Sequence, residues 1–391
     1  MVEKMRTLHV GTVTWNVAEQ EVRTEDIRAI ASVLDPSNLQ LVFVTAQELA
    51  PPTVGSIAGG LVDFPVESPN QATWDAAWAD ALEGYTMVNA ATCGGVRVNL
   101  FSRGVELNST SCDVVACGVG NLLNNKGAAA IRTSVSATSF LFVGAHLNAH
   151  AKKVARRNAD FRRIDAALFN SNNNRNYGGP AFVFSNNNGA NGEKRGPTFF
   201  NSQGAPPAAE FSSDFSDGGA YDPDDDDTDG DFEERSSSAT TTRSAAESLF
   251  GLVPTTTSST PARRLLECHD RVFFVGDLNY RLTVPDRDSF DVIFDADRPT
   301  KLLEYDELKD QIQRKKAFRD YDESPINFPP TYKFDIGTDD YDTSKKRRVP
   351  SWTDRVLSST EGVAPYEYHA VNHVRRSDHK PVYAKFAILV E

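Results

Sequence analysis

Continuous apolar runs that end abruptly in polar residues recur along this 391-residue chain. The run Val272 to Val275 is β-branched and aromatic throughout and is followed by Gly-Asp-Leu-Asn. Leu39 to Val44 and Phe140 to His146 have the same form, whereas Thr7 to Val17 alternates before it turns polar at Asn16. Uninterrupted apolar runs are typical of strands buried on both faces. The pattern therefore predicts strands that deliver polar side chains to their ends.

Segments with helical spacing separate these strands. One helix is predicted to begin at Thr24 and to end before Asp35. Lys152 to Leu168 has a similar periodicity, and its arginines, including Arg157, are expected to form a solvated face. Strands that alternate with helices indicate an α/β fold, in which functional side chains collect at strand ends.

Polar residues of a few chemical kinds stand at the ends of these elements. A carboxylate beside an amide can activate and position a water, a Glu with an Asn suits Mg²⁺, and histidines can donate to a phosphoryl oxygen. No Gly-rich phosphate loop and no activated Ser or Cys accompanies them, so they predict metal-assisted attack of water on a phosphate ester. The candidates are Asn16, Glu48, His146, Asp277, Asn279, Asp354, Asp378 and His379.

Each motif also has a plainer interpretation when it is taken alone. Gly276 to Asn279 fits an ordinary turn, because Gly, Asp and Asn favour turns. Glu48 fits a solvated residue that follows a strand. His146 and His150 would be paired metal ligands only on a helix, and the residues between them lack the Glu of a zinc-protease helix. The prediction therefore depends on several motifs together.

Charge and cysteine content refine the class of protein. The formal net charge of −13 argues against a polyanionic partner, but basic residues cluster at Lys345 to Arg348 and at Arg375 and Arg376. Four cysteines without CxxC spacing favour reduced thiols. Because the chain has no secretory signal, no prenylation box and no apolar run of about 18 residues, we expect a cytoplasmic protein.

Residues Asn170 to Ala262 differ in composition from the rest of the chain. They carry 14 acidic and five basic residues, and Asp222 to Glu234 contains nine acids without any Lys or Arg. Such a segment buries too little apolar surface to order itself. We therefore predict one domain over residues 1–391, interrupted by a disordered insertion at about 170–262.

Eight motifs, in order along nearly the whole chain, resemble those of the inositol polyphosphate 5-phosphatases. The resemblance implies that family's fold, a DNase I-like, two-sheet, four-layer α/β sandwich. One departure is Thr353, where the family usually has Cys. The motifs are Thr14 to Asn16, Gln47 to Leu49, Asn125 to Gly127, His146 to His150 with Arg157 and Asn158, Gly276 to Arg281, Pro329 to Lys333, Arg348 to Leu357 and Ser377 to Pro381.

The resemblance assigns catalytic roles at matching positions. It implies that Glu48, with Asn16, holds Mg²⁺, that Asp277 orients and deprotonates the water, and that Asn279 helps to fix this water. His379 would bind the scissile phosphate, oriented by Asp354 and with Asp378 beside it. His146 would be a second phosphate donor.

The resemblance also assigns substrate contacts. Tyr332, Lys333 and Arg348 match positions that contact the neighbouring 4-phosphate in the family, and Lys126 matches a further substrate-side lysine. A rigid phenol, a cation and a guanidinium fork are suited to a vicinal phosphate.

The implied activity is Mg²⁺-dependent removal of the 5-phosphate from phosphatidylinositol 4,5-bisphosphate, the 3,4,5-trisphosphate or soluble inositol polyphosphates, with peripheral membrane contact if the substrate is a lipid. One alternative is a nucleic-acid phosphodiesterase of the same fold, which the absence of a broad basic face disfavours. Nucleic acid is therefore not an expected partner. The other alternative is an inactive phosphoinositide-binding module, which the intact candidates Glu48, Asp277, Asn279 and His379 disfavour.

Overall fold

Two six-stranded sheets organise the part of the chain that the structure, a computed structural model, describes. The described residues are 5–49, 68–118, 126–170 and 263–391, with residues 296–299 described by their backbone only. They belong to one compact unit, formed by Met1–Phe184 and Thr260–Glu391. The predicted disordered insertion lies outside the described residues except for Asn170.

The strands are distributed evenly between the two sheets. In chain order they are β1 (Arg6–Asn16), β2 (Leu41–Gln47), β3 (Thr86–Cys93), β4 (Val96–Ser102), β5 (Asn108–Ala116), β6 (Gly127–Val135), β7 (Thr138–His146), β8 (Arg271–Asp277), β9 (Tyr321–Glu323), β10 (Asp354–Ser359), β11 (Val363–Ala370) and β12 (Val382–Val390). The first sheet has the order β11–β12–β1–β2–β4–β3, and the second has the order β5–β6–β7–β8–β10–β9.

The centre of each sheet contains one parallel pair of strands. β1 pairs with β2 so that Asn16 lies opposite Gln47, and β7 pairs with β8 so that His146 lies opposite Asp277. β10 runs antiparallel to β8 and places Asp354 opposite Asp277. The polar residues at these strand ends are therefore brought together by register.

Aromatic side chains fill the space between the two sheets. Phe142 stacks on Phe43 at 5.3 Å and on Phe273 at 5.2 Å, and Phe273 meets Phe386 at 5.0 Å. Phe274, the neighbour of Phe273, belongs instead to the apolar cluster on the other face of the second sheet. β8 is thus buried on both faces, as its uninterrupted apolar run predicts.

Helices cover the outer faces of both sheets. In chain order the helices are α1 (Thr24–Leu34), α2 (Pro69–Ala81), α3 (Val154–Ala167), α4 (Leu265–Cys268), α5 (Arg287–Leu302) and α6 (Glu307–Gln313), of which α5 instead joins the apolar cluster between the sheets through Phe290 and Leu302. α1 and α2 share an apolar cluster with the first sheet, whereas α3, α4 and α6 share one with the second sheet. The predicted four-layer sandwich is confirmed. No helix among the described residues has the length and apolar character needed to traverse a bilayer.

Arg157 corrects one expectation about α3. It was predicted on a solvated face, but its side chain is fully buried. Its guanidinium donates to His150 O at 2.6 Å and to Glu307 Oε2 at 2.5 Å, and it lies 5.3 Å from the ring centre of Tyr280. These acceptors come from the turn before α3 and from α6, so the helical pattern alone does not reveal them.

Candidate active site

The ends of β1, β2, β7 and β8 form the first part of the site, which we call the strand-end side and define as Asn16, Glu48, His146 and Asp277. Asn16 Nδ2 donates to Asp277 Oδ2 at 3.0 Å. His146 Nε2 lies 3.4 Å from Asp277 Oδ2 and 3.6 Å from Glu48 Oε1. Lys126 Nζ lies 2.5 Å from the same imidazole nitrogen. Four predicted site residues and the predicted substrate lysine therefore meet at one corner.

Gly276 explains how the two strands approach each other at this corner. A Cβ atom at Gly276 would lie 2.0 Å from the carbonyl oxygen of Ala145 in β7. Only glycine permits this approach without displacing the backbone. Position 276 is thus restricted to glycine by the close packing of β8 on β7, which also brings His146 beside Asp277.

Asp277 is buried, with 1% of its surface exposed, yet its environment favours the ionised form. Burial alone would raise the pKa of Asp277, but its hydrogen bond and charge interaction with His146 and the charges of His379 and Lys126 outweigh burial and lower this pKa. The carboxylate is therefore ionised at neutral pH and acts as a fixed negative charge inside the site.

Asn279 supports Asp277 through its backbone. Its backbone N–H donates to Asp277 Oδ1 at 3.0 Å, while its amide donates to Leu147 O at 3.1 Å and accepts from Arg281 at 2.5 Å. Asn279 adopts a left-handed φ of 58°, which Asn tolerates better than most residues. The contacts show Asn279 orienting Asp277, and its predicted role in fixing the water stays a prediction.

Asp354 and His379 form a buried pair next to Asp277. His379 Nδ1 lies 2.9 Å from Asp354 Oδ2, and Thr331 and Thr353 donate their hydroxyls to this carboxylate oxygen at 2.8 Å and 2.9 Å. Burial alone would lower the pKa of His379, but the charge and hydrogen bond of Asp354 outweigh it and raise this pKa to about 9. His379 is therefore a cation at neutral pH.

The residues predicted to read the 4-phosphate lie on the segment 328–353, which we call the loop side of the site. The ring of Tyr332 lies 4.4 Å from the ring of His379, and Lys333 Nζ lies 2.9 Å from Asp378 Oδ2. Burial disfavours the charged form of Lys333, but Asp378 outweighs it and raises the pKa of Lys333. The predicted residues of this side and His379 thus share one neighbourhood.

Arg348 joins this neighbourhood through Asp342. Its backbone N–H donates to Asp342 Oδ2 at 2.8 Å, and its guanidinium lies 3.4 Å from the same oxygen. The backbone N–H of Asp342 donates to Lys333 O at 2.9 Å. Asp342 therefore ties the segment that carries Arg348 to the one that carries Lys333.

Two sets of oxygen and nitrogen donors could hold a metal ion. Among the described residues, Asp277, Asp354 and His379 form a buried group whose ligand atoms lie within 4.8 Å of one another. The imidazole Nδ1 of His379 is already used by Asp354, which favours an acid–base role for that pair. The predicted set, Glu48 with Asn16, adjoins this group, since Asn16 Nδ2 donates to Asp277 Oδ2 at 3.0 Å, and the Glu48 side chain keeps 31% of its surface exposed.

Besides Thr353, the residues that contact the site without being predicted site residues include Thr331 and Arg281. Thr331 donates to Asp354, and Arg281 lies with Cζ 4.3 Å from the ring centre of Tyr332. Both are within motifs that carry the family resemblance, at Pro329 to Lys333 and Gly276 to Arg281. Their place within these motifs indicates that they lie near the site, but it does not indicate which residues they contact.

Residues 13–190 and 226–385 match the sequence pattern of endonuclease/exonuclease/phosphatase family 2. This match covers more than half of the chain, and the chain belongs to this family. As its name states, this family includes both nucleases and phosphatases.

Individual relatives of the chain within this family are phosphatases that act on inositol phosphates, according to their names. Inositol-1,4,5-trisphosphate 5-phosphatase 1 of Schizosaccharomyces pombe is 47% identical over 118 residues, which are 30% of this chain and 11% of that protein. Type I inositol polyphosphate 5-phosphatase 13 of Arabidopsis thaliana is 27% identical over 414 residues, which cover 95% of this chain and 30% of that protein. The match to each spans less than a third of its length. The resemblance to inositol polyphosphate 5-phosphatases is confirmed.

Solved structures confirm the fold. The 5-phosphatase domain of SPsynaptojanin, in complex with inositol (1,4)-bisphosphate and a calcium ion, has a TM-score of 0.65 at 23% identity and covers 99% of this chain and 86% of that one. Cimex nitrophorin, as a ferrous NO complex, has a TM-score of 0.59 at 16% identity and covers 98% of this chain and 99% of that one. One fold thus serves unlike proteins, so the function depends on the residues of the site and not on the fold alone.

Proposed function

We propose that this chain is a Mg²⁺-dependent phosphoric monoester hydrolase that removes the 5-phosphate from phosphatidylinositol 4,5-bisphosphate, the 3,4,5-trisphosphate or soluble inositol polyphosphates. The observation that carries the proposal is the buried group of Asp277, Asp354 and His379, whose ligand atoms lie within 4.8 Å of one another at the sheet ends. Relatives that are named inositol-1,4,5-trisphosphate and phosphatidylinositol 4,5-bisphosphate 5-phosphatases support the substrate class.

Asp277 orients the attacking water in this proposal. Asn16 and the backbone of Asn279 hold its two oxygens, so the carboxylate presents a fixed acceptor to a water molecule. A carboxylate of low pKa is a weak base, so Asp277 contributes chiefly by orientation. It accepts the proton of the water as the new P–O bond forms, while the bond between phosphorus and the inositol 5-oxygen breaks and that oxygen leaves as the alcohol after taking a proton from solvent.

His379 stabilises the negative charge on the phosphoryl group. Because Asp354 holds Nδ1, the Nε2–H of the imidazolium is the group that donates to a phosphate oxygen. Fixed donors of this kind stabilise charge that develops in the transition state. On the strand-end side we assign His146 as a second phosphate donor, next to the ammonium of Lys126, whose Nζ lies 2.5 Å from His146 Nε2.

The donors on the strand-end side fit a magnesium ion held by Glu48 and Asn16. Mg²⁺ binds through one or two carboxylates and keeps several waters, which suits a single, partly exposed Glu. Asn16 Oδ1 accepts one hydrogen bond, from Ala18 N at 2.9 Å, and retains a second lone pair. When bound, the ion supplies Lewis-acid polarisation of the phosphoryl oxygen.

Recognition of a neighbouring 4-phosphate is assigned to Tyr332, Lys333 and Arg348. The two cations are paired with Asp378 and Asp342, and both side chains are partly exposed. A phosphate dianion competes well for such cations, because charge-assisted contacts to phosphate are strong. We also propose a cytoplasmic location, with peripheral membrane contact when the substrate is a lipid.

A phosphate-release panel over phosphoinositides, soluble inositol phosphates and an oligonucleotide, each with and without Mg²⁺, tests the proposal. We expect release only from substrates that carry a 5-phosphate, and only with Mg²⁺. Cleavage of the oligonucleotide instead would support the phosphodiesterase alternative. Binding of inositol phosphates without any release would support an inactive binding module.

A further inference from the structure

Arg281 connects the turn that carries Asp277 with the loop side of the site. Its terminal nitrogen donates to Asn279 Oδ1 at 2.5 Å, and its Nε donates to Asn279 O at 3.2 Å. The guanidinium carbon lies 4.3 Å from the ring centre of Tyr332. One side chain therefore contacts a residue of the water-orienting turn and a residue assigned to recognition.

The backbone of Arg281 is held from outside the site. Its N–H donates to Glu307 Oε2 at 3.3 Å, and the backbone N–H of Glu307 donates to Arg281 O at 3.0 Å. Glu307 is itself buried and is paired with Arg157 at 2.5 Å. The guanidinium thus extends from a fixed point.

The backbone of Tyr332 is equally fixed, and its ring also has Lys333 Nζ 5.9 Å from its centre. Tyr332 N donates to Ser351 O at 3.2 Å, and Ser351 N donates to Tyr332 O at 2.7 Å. The buried ring contacts His379 on the catalytic side and Arg281 on the side of the Asp277 turn. A guanidinium packed on an aromatic face restrains the orientation of the ring through cation–π attraction.

We propose that Arg281 is a positioning residue that holds Tyr332 in the orientation that accepts a phosphate next to the scissile one. This inference rests on the proposed function and adds a specificity determinant to it. Nε and one terminal nitrogen are engaged with Asn279, so the side chain is oriented by the protein itself. We assign its effect on the substrate to its contact with Tyr332.

The test compares Arg281→Met, Tyr332→Leu and the double variant on two soluble substrates, one with vicinal 4- and 5-phosphates and one with an isolated 5-phosphate. Arg281→Met keeps the length of the stem but removes the cation and its donors. Arg103→Met is the matched control, because Arg103 packs on Tyr85 at 4.7 Å in the same manner, away from the site. KM and kcat are measured separately.

We expect Arg281→Met to raise KM for the vicinal substrate about tenfold, with kcat within about threefold, and to leave KM for the isolated phosphate unchanged. The double variant should raise KM for the vicinal substrate no further than Tyr332→Leu alone, because both changes remove the contact between Arg281 and Tyr332, whereas the two hydrogen bonds to Asn279 that Arg281→Met also removes would act on kcat. The control should match the wild type. Arg281→Lys, which keeps the charge, should shift KM for the vicinal substrate by about threefold.

Equal losses on both substrates, or additive losses in the double variant, would overturn the inference while leaving the proposed function intact. A loss of kcat on both substrates would mean that Arg281 acts through Asn279, which also overturns it. A wild-type protein without activity on either substrate would instead overturn the proposed function, and the inference with it. If Arg281→Met does not fold, Arg281→Lys decides by the same comparison.

Discussion

The strand-end side and the loop side of the site are built by different means. Asn16, His146 and Asp277 are placed by the register of parallel strands. Tyr332 is placed by isolated bridges to Ser351 and His379, outside any regular strand. A residue at a strand end is held in place by the pairing of its strand with the neighbouring strands. A residue on a connecting segment is held in place by the conformation of that segment alone.

The strand-end side and the loop side also differ in how deeply their charged groups are buried and in how those charges are paired. Asp277 is 1% exposed and is surrounded by groups that keep it ionised. The side chains of Lys333 and Arg348 are 25% and 18% exposed, and each is paired with an acid. Rigid, buried charges suit a chemical step, and partly exposed ion pairs can exchange a carboxylate for a substrate phosphate. We therefore expect chemistry to depend on the strand-end side and substrate choice on the loop side.

The largest expected effect comes from Asp277→Asn. The amide keeps the shape of the side chain but cannot accept a proton, so kcat should fall by about 10³-fold or more. Phosphate release on any active substrate measures this. The loss should be similar on substrates with and without a 4-phosphate, because the strand-end side does not choose between them.

Asp270→Asn is the matched control for this change. Asp270 lies directly before β8 and is bonded to Ser139 at 2.6 Å, outside the site. It should leave kcat unchanged. Substantial turnover by Asp277→Asn would contradict its assignment as the group that orients and deprotonates the water.

Asp354→Asn should lower kcat by about 10²-fold and change the pH dependence. Asp354 raises the pKa of His379 to about 9, so activity that needs the imidazolium should decline as pH rises through 9. Without the carboxylate, that decline should move toward the unperturbed value of 6.5. A pH profile of kcat/KM measures both. An unmoved alkaline limb would mean that His379 is not the titrating group.

The same pair affects stability with a defined sign. The pKa of His379 is higher in the folded chain than its ordinary value of 6.5. The contribution of protonated His379 to the free energy of unfolding is therefore fully present below pH 6.5 and is lost as pH rises through about 9. Denaturant midpoints of the wild type should fall over this window, and those of Asp354→Asn should fall less.

Much of the strand-end side could be predicted because its signals are local. The apolar run that becomes β8 ends in Asp277, and the one that becomes β7 ends in His146. The pairing of Asp354 with Asp277 could not be read in this way, since it depends on the register of strands distant in sequence. The roles came from the family resemblance, and the geometry now places those residues together.

Other parts of the fold gave no usable local signal. β11 is exposed or half-buried at every position but one, so it lacks an apolar run. Arg157 follows a polar helical pattern, yet its partners come from a turn and from another helix. Likewise, the contact of Arg281 with Tyr332 joins two motifs that are separated in the chain. The periodicity of apolar residues carries no information about contacts between residues that are distant in sequence.

Arg348→Ala should act on substrate choice. Loss of a charge-assisted contact to phosphate costs about 2 kcal/mol, or about thirtyfold in kcat/KM, on substrates with a 4-phosphate. Substrates without one should be affected less than threefold. Lys301→Ala, an exposed residue at the end of α5, serves as the control. Equal loss on both substrate types would mean that Arg348 does not read the 4-phosphate.

The smallest expected effect is that of Thr331→Val, which probes the junction of the two sides. Thr331 belongs to the loop side, but its hydroxyl donates to Asp354 at 2.8 Å. Valine keeps the shape and removes one of the donors to this carboxylate, at a cost of about 1 kcal/mol in unfolding free energy and a few-fold in kcat. Thr331→Ser keeps the donor and should retain kcat. Loss of kcat in Thr331→Ser, with kcat retained in Thr331→Val, would show that the methyl group of Thr331, rather than its hydrogen bond, supports Asp354.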